Sequence, residues 1–114
     1  MSLKNRCSVL TDLSLLNLAR ALKDEDVLIF VLLDIPETTI VTFYEESKAL
    51  NQKHNAFKQQ CLLHWKELRA TVKDSKKLKQ LDWALRESGQ KEIADVVKER
   101  NSLDLQITKE LFAT

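Results

Sequence analysis

Turn residues are nearly missing from this chain of 114 residues, which has one glycine, Gly89, and one proline, Pro36. Sheet proteins join their strands through tight turns that call for glycine, proline and asparagine at set positions. So sparse a supply favours helices joined by short polar loops. A single glycine also leaves no glycine-rich loop whose backbone N–H groups could cradle phosphates. The longest apolar run, Val27 to Leu33, falls far short of the ~20 residues a membrane-spanning helix needs, so no membrane partner is expected. Two cysteines, Cys7 and Cys61, stand far apart with no CxxC or Cys/His spacing, and no metal site is expected. No secretory signal is visible at the N-terminus, which makes a cytoplasmic location the expectation.

What remains is an ordinary globular composition, 44% apolar and 31% charged, which argues against disorder. The length suits one domain that buries about two-thirds of its unfolded surface. Residues 1–10 carry little pattern and read as an arm. Thr11 or Asp12 then caps a helix in which Leu15, Leu18, Ala19 and Leu22 recur on one face. The charged stretch Lys23-Asp24-Glu25-Asp26 ends it.

The next segment is ambiguous. By propensity, Val27 to Leu33 and Thr38 to Tyr44 resemble two strands around an Ile35-Pro36-Glu37 turn, so a β-hairpin packed on helices is an alternative. Helices are favoured because neither run alternates cleanly. Pro36-Glu37 also suits a helix start, where a missing N–H costs nothing and a carboxylate meets the dipole. Two strands alone, moreover, make a weak sheet.

Three further helices follow. Cys61, Leu62, Trp65 and Leu68 mark one over roughly residues 56–71. Leu78, Leu81 and Leu85 mark another, started at Lys73-Asp74-Ser75 with Asp74 or Ser75 as cap. Ser88-Gly89 is a stop, with glycine where a left-handed residue is wanted. Ile93, Ala94 and Val97 mark a sixth helix over 90–100, and Leu103, Ile107 and Leu111 keep helical spacing beyond it. The expected fold is all-α: a six-helix antiparallel bundle over residues 11–101, between the arm and a C-terminal helical extension over 102–114.

Candidate chemistry is thin. His54 and His64 have no GxSxG, HExxH or similar companion and read as surface histidines. No catalytic residue, cofactor or small-molecule substrate is expected, and the chain reads as a non-enzyme. Cys61 falls in an apolar stripe and reads as a small buried thiol. Trp65 reads as core. Trp83 lies about 140° from the Leu78/Leu81/Leu85 stripe; packing against a neighbouring helix or the extension is favoured over a role as an exposed binding anchor.

Charge is unevenly distributed. Residues 1–50 hold five basic and eight acidic side chains, and residues 51–114 thirteen basic and nine acidic. Acid gathers at Asp24, Glu25 and Asp26 and at Glu37, Glu45 and Glu46. Base gathers at Lys73, Lys76, Lys77 and Lys79, with Arg69 nearby. Such a run is as often a solvated face as a contact. The contact reading is electrostatic complementarity, which sets orientation and partner choice.

A leucine pair before a tryptophan, Leu62-Leu63-His64-Trp65, followed by Ala84-Leu85, a glycine turn and a short Ile93-Ala94 helix, resembles the last three helices of a death domain. Leu18-Ala19-Arg20-Ala21-Leu22 is similar to that family's leucine-alanine start, and the resemblance spans about Leu13 to Arg100. Asp26-Val27 stands where the family commonly has a tryptophan, which leaves caspase-recruitment and death-effector modules as related alternatives. The resemblance implies the six-helix death fold and an adaptor that recruits another death-domain protein, a receptor, another adaptor or itself, in apoptotic or innate-immune signalling. It further implies contact through the acidic residues Asp24, Glu25, Asp26, Glu37, Glu45 and Glu46 and the basic residues Arg69, Lys73, Lys76, Lys77 and Lys79. A second class of reading is a small helical domain using the cluster at 69–79 on nucleic-acid phosphates. Interleaved acids such as Glu67 and Asp74 make nucleic acid an unlikely partner.

Overall fold

The computed structural model describes residues 7–23, 27–49 and 54–112. Among these, six α-helices follow one another: α1 (Asp12–Ala21), α2 (Leu28–Leu32), α3 (Glu37–Ala49), α4 (His54–Leu68), α5 (Asp74–Glu87) and α6 (Lys91–Ser102). Short 3-10 turns at Ser8–Leu10 and Lys109–Phe112 flank them. The all-helical, six-helix reading therefore holds, and the hairpin alternative over residues 27–44 does not.

Burial shows why the ambiguous segment is helical. Ile29, Phe30 and Leu33 are buried, whereas Leu28 and Val31 are exposed. That is a period of three to four residues and not the alternation a half-buried strand requires. Pro36 precedes α3 as expected, and its carbonyl accepts from the N–H groups of Thr39 at 2.9 Å and Ile40 at 3.1 Å. Thr11 caps α1 by accepting from the Ser14 N–H at 3.2 Å. At α5 the cap position is Lys73, whose side chain makes no cap bond, and Asp74 sits in the first turn. The expected Asp74 or Ser75 cap is thus corrected; Asp74 faces the N-terminal dipole instead.

Three helix ends share one device. The N–H of Ile35 reaches the Phe30 carbonyl at 3.1 Å, that of Gln90 reaches Leu85 at 2.8 Å, and that of Leu105 reaches Arg100 at 2.9 Å. Each is the long bond of a Schellman motif, which needs a left-handed residue just before its donor. Gly89 (φ 81), Asp34 (φ 63) and Asp104 (φ 56) fill those positions. Aspartate tolerates this region better than most side chains, which is how a chain with one glycine closes three helices. Gly89→Ala is expected to lower stability by about 1 kcal/mol in urea unfolding. Nothing lies within 4 Å of a Cβ placed there, so the loss would come from backbone conformation alone, and an unchanged midpoint would contradict the assignment.

The core runs through every helix. α4 packs on α1 and α3, α5 packs on α6 and α2, and Trp65, Phe30, Phe57, Leu15, Leu62 and Leu81 are all fully buried. Trp65 is core as expected, and its indole N–H donates to Gln80 Oε1 at 3.1 Å. Cys61 is buried too, and burial pushes its thiol up to about 12 from 9.0. Because the folded value lies above the unfolded one, this thiol's contribution is intact below pH 9 and is lost as pH rises towards 12. Unfolding measured across that window should show a shallower alkaline decline for Cys61→Ala than for the parent chain. Parallel curves would contradict the burial account.

Both ends of the chain depart from expectation. Residues 8–10 are not a loose arm: Val9 and Leu10 are buried, and the Ser8 carbonyl accepts from Ser14 Oγ at 2.6 Å. The C-terminal segment does not prolong α6. It turns at Asp104 and runs back as a strap, helical only at Lys109–Phe112. Of the three spaced apolar residues, Ile107 is fully buried, Leu111 is half-buried and Leu103 is exposed.

Candidate functional site: two charged helix faces

Each exposed face grows from the part of its helix left over after the core is packed. On α3 the inward residues are Ile40 and Ser47, with Phe43 half-buried. Glu37, Glu45 and Glu46 are all exposed. Glu37 and Glu45 lie eight residues apart on one stripe. Between them on the same side stand Val41, 58% exposed, and Tyr44, 36% exposed. The Tyr44 ring meets Phe57 edge-on at 5.5 Å between centroids, which holds it against the bundle. Asp24, Glu25 and Asp26, expected to extend the acidic face, lie outside the described residues, as does the side chain of His54.

On α5 the buried set is Lys77, Leu81, Ala84 and Leu85. Lys76 and Lys79 are exposed on the other side, and Lys73 is exposed at the N-cap just before the helix. The expected five-cation cluster is therefore divided. Lys77 turns inward, only 8% exposed, and pairs with Asp74 at 3.3 Å. Arg69 is half-buried in a polar clasp: Nε donates to Gln80 Oε1 at 3.2 Å and Nη2 pairs with Asp34 at 3.1 Å. Gln80 joins Trp65 and Asp34 as well. This clasp fastens the α2–α3 turn to α4 and α5, so Arg69 serves the fold, and its cation is largely offset by a carboxylate.

Trp83 corrects a second expectation. It is 48% exposed rather than packed, and it shares the outer face of α5 with Lys79 and Lys76, one and two turns before it respectively. His64 is not the freely exposed group expected. It is half-buried, with its ring edge-on to Phe43 at 5.4 Å.

Two other places were candidates for chemistry. A hollow of about 610 Å³ between α1, α6 and the last 3-10 turn sets Arg20, Glu92 and Lys109 around Ile93, Val96 and Phe112. Between α5 and α6, Arg86 bridges Asp82 at 3.0 Å and Asp95 at 2.9 Å, and these bonds raise the guanidinium above its usual range. Neither place sets a nucleophile beside a base. Among the described residues no group of three histidine, cysteine, aspartate or glutamate side chains stands close enough to hold a metal, and no helix is long and apolar enough to cross a membrane.

Sequence reasoning missed Lys58. It is 1% exposed, and its Nζ donates to the Leu22 carbonyl at the end of α1, 2.6 Å away. The signal was present: positions 58, 61, 62 and 65 are one helical stripe. The same holds for Lys77, on the stripe of Leu81, Ala84 and Leu85. No protein-family model, curated protein or solved structure matches this chain.

Proposed function

We propose that this chain is a non-enzymatic adaptor module of the death-domain kind, which binds modules of the same fold through an acidic face on α3 and a basic face on α5. The observation that carries the reading is the separation of exposed charge: Glu37, Glu45 and Glu46 on one helix, Lys76 and Lys79 on another with Lys73 at its N-cap. α3 packs on α4, whereas α5 packs on α6 and α2, so each charged face is open to a different neighbour. Unlike faces of this kind meet head to tail, and such contacts extend into rings or helical assemblies. The six-helix bundle agrees with this reading, as does the order of Leu62, Trp65, Ala84 and Leu85 along it. A cytoplasmic place in apoptotic or innate-immune signalling, with a receptor or a second adaptor as partner, follows from the same resemblance.

The test is capture of a panel of death domains by this chain and by its Lys76→Glu/Lys79→Glu variant. Capture by the parent chain, reduced at least about tenfold in the variant, is the expected result. Equal capture by both would remove α5 from the contact, and no capture would remove the reading.

The nucleic-acid reading draws on the same three lysines. With Arg69 and Lys77 engaged internally, three phosphate contacts remain, a salt slope of only about −3. A gel shift with short duplex at low salt decides it: retention that vanishes in the same variant would favour nucleic acid.

A further inference from the structure

The two charged faces each carry exposed apolar side chains, and their spacings match. Successive helix residues turn by 100°, so Lys76, Lys79 and Trp83 fall within about 60° of one another on α5. Glu37, Val41, Tyr44 and Glu45 fall within about 100° on α3. Trp83 is 48% exposed, Val41 58% and Tyr44 36%. A lone exposed apolar residue is ordinary, but here a tryptophan stands beside cations on one helix and a valine–tyrosine pair between carboxylates on another.

We infer that the occupant of the α5 face is the α3 face of a second copy of this chain, with Trp83 as the anchor seated over Val41 and Tyr44. This rests on the charged-face reading above and adds the partner and the side chain that holds it. Lys79 precedes Trp83 by four residues, and Glu37 precedes Val41 by four, about 6 Å in each case. With Trp83 over Val41 and the two helices parallel, Lys79 therefore reaches Glu37. The antiparallel arrangement takes Lys79 to Glu45 but sets Lys76 against Lys48 and Glu87 against Glu37, two like-charge pairs, so the helices run parallel. A tryptophan beside a tyrosine, with a charge pair one turn before it, is the composition of an interface hot spot. Two groups oppose the contact: Glu87, one turn beyond Trp83 and exposed, comes against Glu45, and the Lys48 ammonium, 5.5 Å from the Tyr44 ring centroid, must swing aside to admit Trp83. Because α3 and α5 are different surfaces, each copy offers one face and accepts on the other, and the contact propagates.

Single-face variants test this directly. Trp83→Ala disables the α5 face and Val41→Lys the α3 face; both positions are exposed, and thermal unfolding checks that each variant folds like the parent. In sedimentation velocity the parent chain is expected to grow with concentration up to about 1 mM. Trp83→Ala is expected to weaken assembly at least about 30-fold, and each variant alone to stay a monomer. Mixed in equal amounts they should form a dimer that grows no further, because one intact α3 face meets one intact α5 face. Glu87→Lys should tighten the parent assembly. A mixture that stays monomeric, or a Trp83→Ala chain that assembles like the parent, would overturn the inference. Assembly lost with Lys76→Glu/Lys79→Glu yet indifferent to Trp83→Ala would remove the anchor and keep the charged faces. A parent chain that stays monomeric but captures other death domains would remove the second copy and keep the adaptor.

Discussion

Lys58→Met is expected to cost about 3 kcal/mol, a large part of the 5–15 kcal/mol that holds a typical domain together. Methionine keeps the length and apolar stem of lysine, so the packing in α4 changes little. What goes is the ammonium that meets the Leu22 carbonyl at 2.6 Å. That carbonyl stands at the C-terminal end of α1, where backbone carbonyls lack helical partners and the macrodipole favours a cation. A buried acceptor stripped of its donor loses its full desolvation cost, about 1–3 kcal/mol, and the dipole interaction goes with it. The neighbouring Gln59 side chain, which donates to the Leu16 carbonyl at 3.2 Å, keeps α4 on α1 and should leave the variant folded. Urea unfolding measures the change. A loss below about 1 kcal/mol would mean that water replaces the ammonium at the helix end.

Ile107→Ala should cost a comparable amount, about 3 kcal/mol. Ile107 is the fully buried residue of the strap, and its backbone is held through both its N–H and its carbonyl. The N–H donates to the buried Ser14 hydroxyl at 2.9 Å, and the carbonyl accepts from Asn17 at 3.0 Å. Arg100 fastens the preceding residue through the Gln106 carbonyl at 2.9 Å. Truncation after Ser102 removes these bonds together with the half-buried Leu111 and Phe112, so it should exceed the point substitution. If Ile107→Ala alone accounts for most of the truncation loss, the strap acts through one anchor. Equal stability of the truncated and parent chains would show that the bundle closes without it.

The sequence was most legible where a residue type has one structural use. Gly89 marked a helix end because glycine reaches positive φ without cost. Asp34 and Asp104 make the same left-handed turn, yet went unread because aspartate serves equally as an N-cap. Trp65, at the centre of a clear stripe, was read as core. Trp83 lay off its stripe, and periodicity alone cannot tell an off-stripe tryptophan under a second helix from one in water. α2 looked like a strand because five helical residues are too few for a period to stand out. Lys58 and Lys77 are hard to read from sequence because charge ordinarily marks the surface, although both hold stripe positions. A long aliphatic stem lets lysine occupy the apolar face while its head finds an oxygen at the rim. The basic site is correspondingly smaller than its composition: of Arg69, Lys73, Lys76, Lys77 and Lys79, three remain open to a partner.

Sedimentation velocity of the parent chain at low and high salt, beside Lys76→Glu/Lys79→Glu, is the most direct test of the two-face account. The account predicts assemblies at low salt that fall towards the 13.2 kDa monomer at high salt, and a variant that is monomeric in both. Screening acts on exposed pairs over about 10 Å at 0.1 M salt, so this contact should be sensitive to it. A parent chain that stays at 13.2 kDa in both buffers, or assemblies that neither salt nor charge reversal disturbs, would contradict the pairing of these two faces between copies of this chain.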